Sequence, residues 1–160
     1  MDNRKKKQVI SIFFIGLGLM TMIELGLVWA VEGAFSSSWP RTLLGLGMAG
    51  AGMALVVWSV HTLYAMGKGT PAPMVPTQYL VQAGPYRWSR NPMTLGASLF
   101  YLGLAVWTGS WAIFGLVLTI FSLLLTYIYI HESRELAERF GVEYQEYRRK
   151  IPFLFPRIPR

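Results

Sequence analysis

Hydrophobic residues in this chain fall into long runs, with neither the period-two alternation of strands nor the narrow apolar stripe of a soluble helix. The first run, Val9 to Val31, is interrupted by one charge, Glu24, and at about 1.5 Å per residue it can cross a hydrocarbon core of roughly 30 Å. A second run, Leu43 to Met66, follows Pro40 and Arg41 and stops at Gly67-Lys68-Gly69-Thr70-Pro71-Ala72-Pro73, a string that cannot continue a helix. The stretch from Met93 to Tyr129 is too long for one span, and Thr108-Gly109-Ser110 in its middle predicts a turn. The expected fold is all-α: a polytopic membrane protein with four transmembrane helices, at about 9–31, 43–66, 93–107 and 111–130. These form a single domain over 1–160, with a cytoplasmic tail, 131–160, that opens as an amphipathic helix.

Composition supports the membrane reading. Of 160 residues, 53% are hydrophobic and 14% charged, against about a quarter charged in soluble domains. The absence of cysteine removes thiolate zinc sites, disulfides and a cysteine nucleophile. The formal net charge of +7 could suggest nucleic acid, but its placement argues otherwise. Every Lys and Arg except Arg41 lies in the N-terminal segment, the 67–92 loop or the C-terminal tail. Four spans put those three segments on one face, which the positive-inside rule makes cytoplasmic. Both termini are therefore expected on the cytoplasmic side of an inner or plasma membrane. The basic surplus sets topology and meets anionic head groups, and no aromatic-basic module points to nucleic acid. Arg4 to Lys7 resemble the start of a signal peptide, but the apolar run is too long and no A-x-A site follows, so an uncleaved anchor is expected.

The third helix is the odd element. Fifteen residues reach only about 22 Å, so its start at Asn91-Pro92 is expected to lie below the cytoplasmic surface. Asn is a good N-cap and Pro suits the first helical position. A sunken helix N-terminus must be buried in protein or line a polar cavity. Two polar segments share that face: Gly84 to Pro92, and His131-Glu132-Ser133-Arg134-Glu135. Together they set guanidinium groups and a helix N-terminus, which attract carboxylate or phosphate, beside glutamates suited to an ammonium or ribose hydroxyls. The plainer alternative is that Arg87 and Arg90 bind lipid phosphate while the glutamates pair with Arg134 or Arg139. From Glu132 to Lys150, broken at Gly141, Leu136, Phe140, Tyr144 and Tyr147 recur at helical spacing. That aromatic face either lies on the bilayer or caps the site by packing on the 67–92 loop, and Pro152, Pro156 and Pro159 leave an extended end.

The combination is similar to a known family. Gly67 to Pro73, Leu80-Val81, Gly84-Pro85-Tyr86-Arg87-x-x-Arg90-Asn91-Pro92-Met93-x-x-Gly96, and Glu132-x-x-x-Leu136-x-x-x-Phe140-Gly141-x-x-Tyr144-x-x-Tyr147 with Pro152 resemble the isoprenylcysteine carboxyl methyltransferase and phospholipid N-methyltransferase superfamily of integral membrane enzymes. The likeness covers about residues 43 to 157. It implies S-adenosylmethionine bound at the cytoplasmic ends of the last two helices, and a lipophilic acceptor entering from the bilayer. By the same resemblance, Tyr86, Arg87, Arg90, Asn91, Pro92 and Gly96 line one wall of the cofactor pocket and Glu132, Phe140, Tyr144 and Tyr147 the other. The chain departs from the prenylcysteine pattern at Asn91, where His is common, at Thr94, often aromatic, and at Ser133, where a second glutamate is usual. Glu135, one turn beyond Glu132, can replace that carboxylate.

Glu24, Glu32, His61 and Tyr64 are the remaining polar residues within or beside spans. An intramembrane carboxylate is by default a functional candidate, though Glu24 can equally be protonated or bonded to a neighbouring helix. His61 and Tyr64 either belong to the interfacial belt or reach the pocket to orient an acceptor or take its proton. Arg90, Glu132 and His61 are thus the expected catalytic set. Gly45, Gly47, Gly50 and Gly52 read as a helix-packing series. His131-Glu132 lacks the second His of a zinc motif, so no metal is expected. The function expected is methyl transfer to a phospholipid amine, an isoprenoid-linked carboxylate or a thiol. The alternatives are a non-catalytic lipid-binding relative of the same fold and an NADPH-dependent membrane reductase, whose tail has a similar pattern.

Overall fold

The computed structural model describes residues 3–33, 38–68 and 77–154, apart from the side chains of residues 3, 6 and 132. The breaker residues Gly69 to Pro73, and Pro156 and Pro159, lie outside the described residues. Among the described residues there is no strand; the elements are α1 (Asn3–Glu32), α2 (Trp39–Met66), a short 3-10 turn (Gly84–Arg87), α3 (Pro92–Thr108) and α4 (Trp111–Lys150). The expected all-α class holds. Three stretches are long and apolar enough to cross a membrane, Lys7–Glu32, Trp39–Met66 and Trp111–His131, and Pro92–Thr108 is a shorter apolar helix. Helix α2 begins four residues before Leu43 because Ser38 is extended and Pro40 falls in the first turn, where a missing N–H loses no bond.

Helices α2 and α3 share the largest interface of the fold. They run antiparallel, with Gly45 against Gly103 and Trp107, and Gly52 against Gly96 and Phe100. The approach is close enough that a Cβ on Gly52 would lie 2.5 Å from the Gly96 carbonyl oxygen, and one on Gly103 2.6 Å from the Ala49 nitrogen. Small residues let backbones meet where lipid offers no hydrophobic drive to associate. The expected glycine series therefore divides: Gly45 and Gly52 face α3, while Gly47 and Gly50 meet open space.

Helix α1 leans on the other side. Val28, Ala49, Tyr101, Leu104, Ala105, Ile113 and Val117 form the core, and the Tyr101 hydroxyl donates to the Leu17 carbonyl at 2.9 Å. At the far end Ser110 caps α4, accepting from the Ile113 N–H, and donates to Glu32 Oε1 at 2.9 Å. Gly109, with φ +77°, closes α3 and makes the tight reversal into α4. Glu24 is buried, and neither carboxylate oxygen has a hydrogen-bond partner among the described residues.

Helix α4 continues past the apolar stretch to Lys150, and Gly141 (φ +52°, ψ −123°) kinks it. Glycine tolerates that conformation without a Cβ clash. The kink turns residues 142–150 back over the loop before α3, which positions the candidate site.

Candidate functional site

The loop before α3 is shaped by its small and rigid residues. Gly84 takes φ +55° and sits so close to α2 that a Cβ would lie 2.9 Å from Thr62 Oγ1. Pro85 and Tyr86 are buried in the 3-10 turn, and Trp88 meets Trp58 of α2 edge-to-face at 5.5 Å. Ser89, 2% exposed, accepts from the Asn91 N–H and donates to the Phe153 carbonyl. Asn91 is the N-cap of α3 by position, yet its side chain caps nothing and its Nδ2 donates to the Phe153 carbonyl at 3.3 Å. The first turn of α3, with Pro92 at its start, thus has no side-chain cap.

Arg90 ties this loop to the tail. Its backbone N–H donates to the Pro152 carbonyl at 3.0 Å, its Nε to the Ile151 carbonyl at 3.1 Å and its Nη1 to the Tyr144 hydroxyl at 3.0 Å. The guanidinium also lies 5.6 Å from the centre of the Phe153 ring. The Tyr147 hydroxyl donates to the Tyr86 carbonyl at 2.8 Å. Burial pushes the Tyr147 phenol up, more than the positive charge of Arg90 lowers it, so it is a neutral donor at physiological pH.

On both sides of the kink, α4 grips the segment upstream. Arg139 pairs with Glu135 at 3.3 Å, donates to the Thr77 carbonyl and lies over the Phe140 ring. Gln82 Nε2 donates to Glu143 Oε1 at 3.3 Å. Between the loop and the end of α4 is a cleft of about 260 Å3, lined by Gln82, Arg87, Trp88, Tyr147, Lys150 and Ile151.

The sequence profile of the phospholipid methyltransferase family matches residues 40–143, from the start of α2 to just beyond the kink in α4. The chain belongs to that family. Its relatives include the cobalt-zinc-cadmium resistance protein CzcN of Cupriavidus metallidurans, 34% identical over 116 residues, 72% of this chain and 50% of the relative. Another is methanethiol S-methyltransferase 2 of Bradyrhizobium diazoefficiens, 34% identical over 73 residues, 46% of this chain and 27% of the relative. The chain thus spans half or less of the length of these relatives. With three helices long enough to cross a bilayer, family membership makes it an integral membrane protein.

Of the residues expected in the methyltransferase site, Tyr86, Arg90, Asn91, Tyr144 and Tyr147 come together in one hydrogen-bonded cluster or its immediate surround. Arg87 lines the neighbouring cleft. Pro92 is buried, and Gly96 is taken up by packing, since a Cβ there would lie 2.8 Å from the Gly52 carbonyl oxygen. Glu135 and Phe140 sit on α4 before the kink, engaged with Arg139, and His61 is exposed on α2. The Glu132 side chain lies outside the described groups, while Ser133 beside it is buried. Sequence reasoning missed Ser89, Gln82, Trp88, Lys150 and the carbonyls of 151–153. Ser89 carried a signal, a hydroxyl two residues before an Asn-Pro helix start. The carbonyls carried none, because every residue has one.

Proposed function

We propose that this protein transfers a methyl group from S-adenosylmethionine to a lipophilic or small acceptor at the cytoplasmic membrane face. The observation that carries the reading is the uncapped start of α3 beside Arg90, within the family-matched region and under the tyrosines of the tail. The donor set suits a methionine tail. Free N–H groups at a helix start attract a carboxylate, and the described hydrogen bonds use two of the five guanidinium N–H donors of Arg90. Glu132 and Glu135 are the groups for the ammonium, and Phe140 is the partly exposed ring for adenine or the sulfonium, while Tyr86, Tyr144 and Tyr147, buried here, back the site. When bound, the cofactor supplies an electrophilic methyl group that a carboxylate or thiolate can attack without acid-base help. The protein's task is then orientation, aligning acceptor and methyl group in line. For an amine or thiol, His61 is the proposed proton acceptor.

Around this site we read four spans, α1 to α3 and the first half of α4, as one domain with both termini cytoplasmic, supported by the distribution of Lys and Arg. The short α3 then places its start below the interface. The tail after His131 acts as an amphipathic lid. The family's phospholipid acceptors and the methanethiol in one relative's name keep a phospholipid amine, an isoprenoid-linked carboxylate and a thiol as acceptor classes.

Calorimetric titration of the detergent-purified protein with S-adenosylhomocysteine, beside NADPH, tests the reading. Binding of the first ligand alone is expected, weakened by Arg90→Ala and Glu132→Gln and unchanged by Lys68→Ala. Binding of neither ligand would favour a non-catalytic relative, and binding of NADPH alone would favour the reductase. Radiolabelled methyl transfer to phosphatidylethanolamine, a prenylcysteine and methanethiol then separates the acceptor classes.

A further inference from the structure

Helix α1 turns one narrow face inward. Leu17, Thr21, Glu24 and Val28 fall at i, i+4, i+7 and i+11, one side of a helix, and of the described residues of α1 only Glu24 and Val28 are buried. One of the two anchors of a membrane-crossing helix is therefore a carboxylic acid. Glu24 is 6% exposed, and neither of its oxygens has a hydrogen-bond partner among the described residues. That is a costly state for an ionised carboxylate inside a membrane.

The groups beside it are acceptors. The Thr21 hydroxyl donates to the Leu17 carbonyl at 3.0 Å, and the Tyr101 hydroxyl, from α3, donates to the same carbonyl at 2.9 Å. The charge of Glu24 acts on Tyr101, yet no hydrogen bond joins them. Both hydroxyl protons are thus committed to Leu17, and what faces the carboxylate is hydroxyl lone pairs, a set of oxygens without a donor. Size and charge narrow what such a set can hold. Side chains close off both carboxylate oxygens, which leaves no room for an organic ammonium. One carboxylate balances one positive charge, and among the described residues no three His, Asp or Glu side chains come together for a multivalent ion. A proton on one carboxyl oxygen leaves the other without a partner, whereas a small hard cation takes oxygen ligands and engages both. We propose that Glu24, Thr21 and Tyr101 bind one monovalent alkali cation, sodium by size, and that the ion ties α1 to α3. Thr21 and Glu24 precede the family-matched residues 40–143, and Tyr101 lies about 14 Å along α3 from Pro92, so this site is separate from the proposed methyl-donor site.

Thermal unfolding of the detergent-solubilised full chain tests this, at pH 8 and constant chloride, with choline replaced stepwise by sodium. A saturable rise in Tm is expected, roughly 3–6 °C at a sodium concentration ten times Kd. Glu24→Gln should lose the sodium response, and Glu32→Gln, at the far end of the same helix, should keep it. Thr21→Val removes one neutral ligand and should raise the sodium midpoint about tenfold. That variant serves if Glu24→Gln fails to elute as a folded monodisperse species. Equal Tm in sodium and choline, or an equal sodium response in Glu24→Gln, would overturn the proposal. A Tm that responds to pH and not to sodium would show that Glu24 carries a proton, and would overturn the cation reading.

Discussion

Replacing Arg90 by Ala removes two hydrogen bonds from a charged, half-buried donor, to the Ile151 carbonyl and the Tyr144 hydroxyl, while the backbone bond to the Pro152 carbonyl survives. Hydrogen bonds to charged groups are worth about 1.5 kcal/mol each at the lower end of their range, so the tail should lose about 3 kcal/mol of docking energy. If residues 142–154 open as a local unit, that loss lowers their protection roughly 150-fold, at a factor of ten per ~1.4 kcal/mol. The assay is amide hydrogen exchange of the detergent-solubilised protein, comparing peptides that cover 144–151 with peptides from the α2–α3 interface, whose protection should not change. Tyr144→Phe removes one of the two partners and should cost about tenfold. Arg90→Lys keeps the charge but not the planar fork, and should fall between wild type and Ala. Unchanged protection of the tail in Arg90→Ala would show that these bonds do not hold it, and would leave cofactor contact as the residue's sole proposed role.

Two further outcomes follow from the packing and burial. Gly52→Leu should lower stability by at least about 3 kcal/mol, because the Cβ would meet α3 backbone that cannot yield. Gly47→Leu, on the open side of the same helix, should stay within about 0.5 kcal/mol; equal thermal shifts for the two would refute the assigned α2 face. The Tyr147 phenol is raised in the folded protein, so its contribution is complete below the ordinary phenol value of about 10 and is lost as pH climbs through the folded value. Thermal unfolding between pH 9 and 12 should therefore show an alkaline loss of stability that Tyr147→Phe lacks, and matching pH profiles would mean that the phenol ionises freely in the fold.

Much of the architecture was legible because membrane-spanning length is written directly in the hydropathy of the chain. The runs at 9–31, 43–66 and 111–130, the turn at Thr108 to Ser110 and the break at Gly141 all reappear within a few residues. Lipid demands internally satisfied backbone, so a long apolar run has few alternatives to a helix. The start of α3 at Asn91-Pro92 was equally readable, since local steric rules suffice for it.

The arrangement around that start was not local. Which glycines of α2 face α3 depends on helix rotation, which is set by packing against another helix and not by the spacing of 45, 47, 50 and 52. The tail offered two destinations, bilayer surface or loop. The fold places Tyr144 and Tyr147 on the loop because Arg90, Ser89 and Asn91 find carbonyls of 151–153 within reach once the kink has turned the chain. Backbone carbonyls have no sequence signature, and a guanidinium can serve a lipid, a cofactor or its own tail without a change of residue. Residue type thus determined what chemistry was available to this protein. The tertiary structure decided which partners met: it drew Arg90 into holding the tail and brought Arg87 and Lys150 to the same cleft.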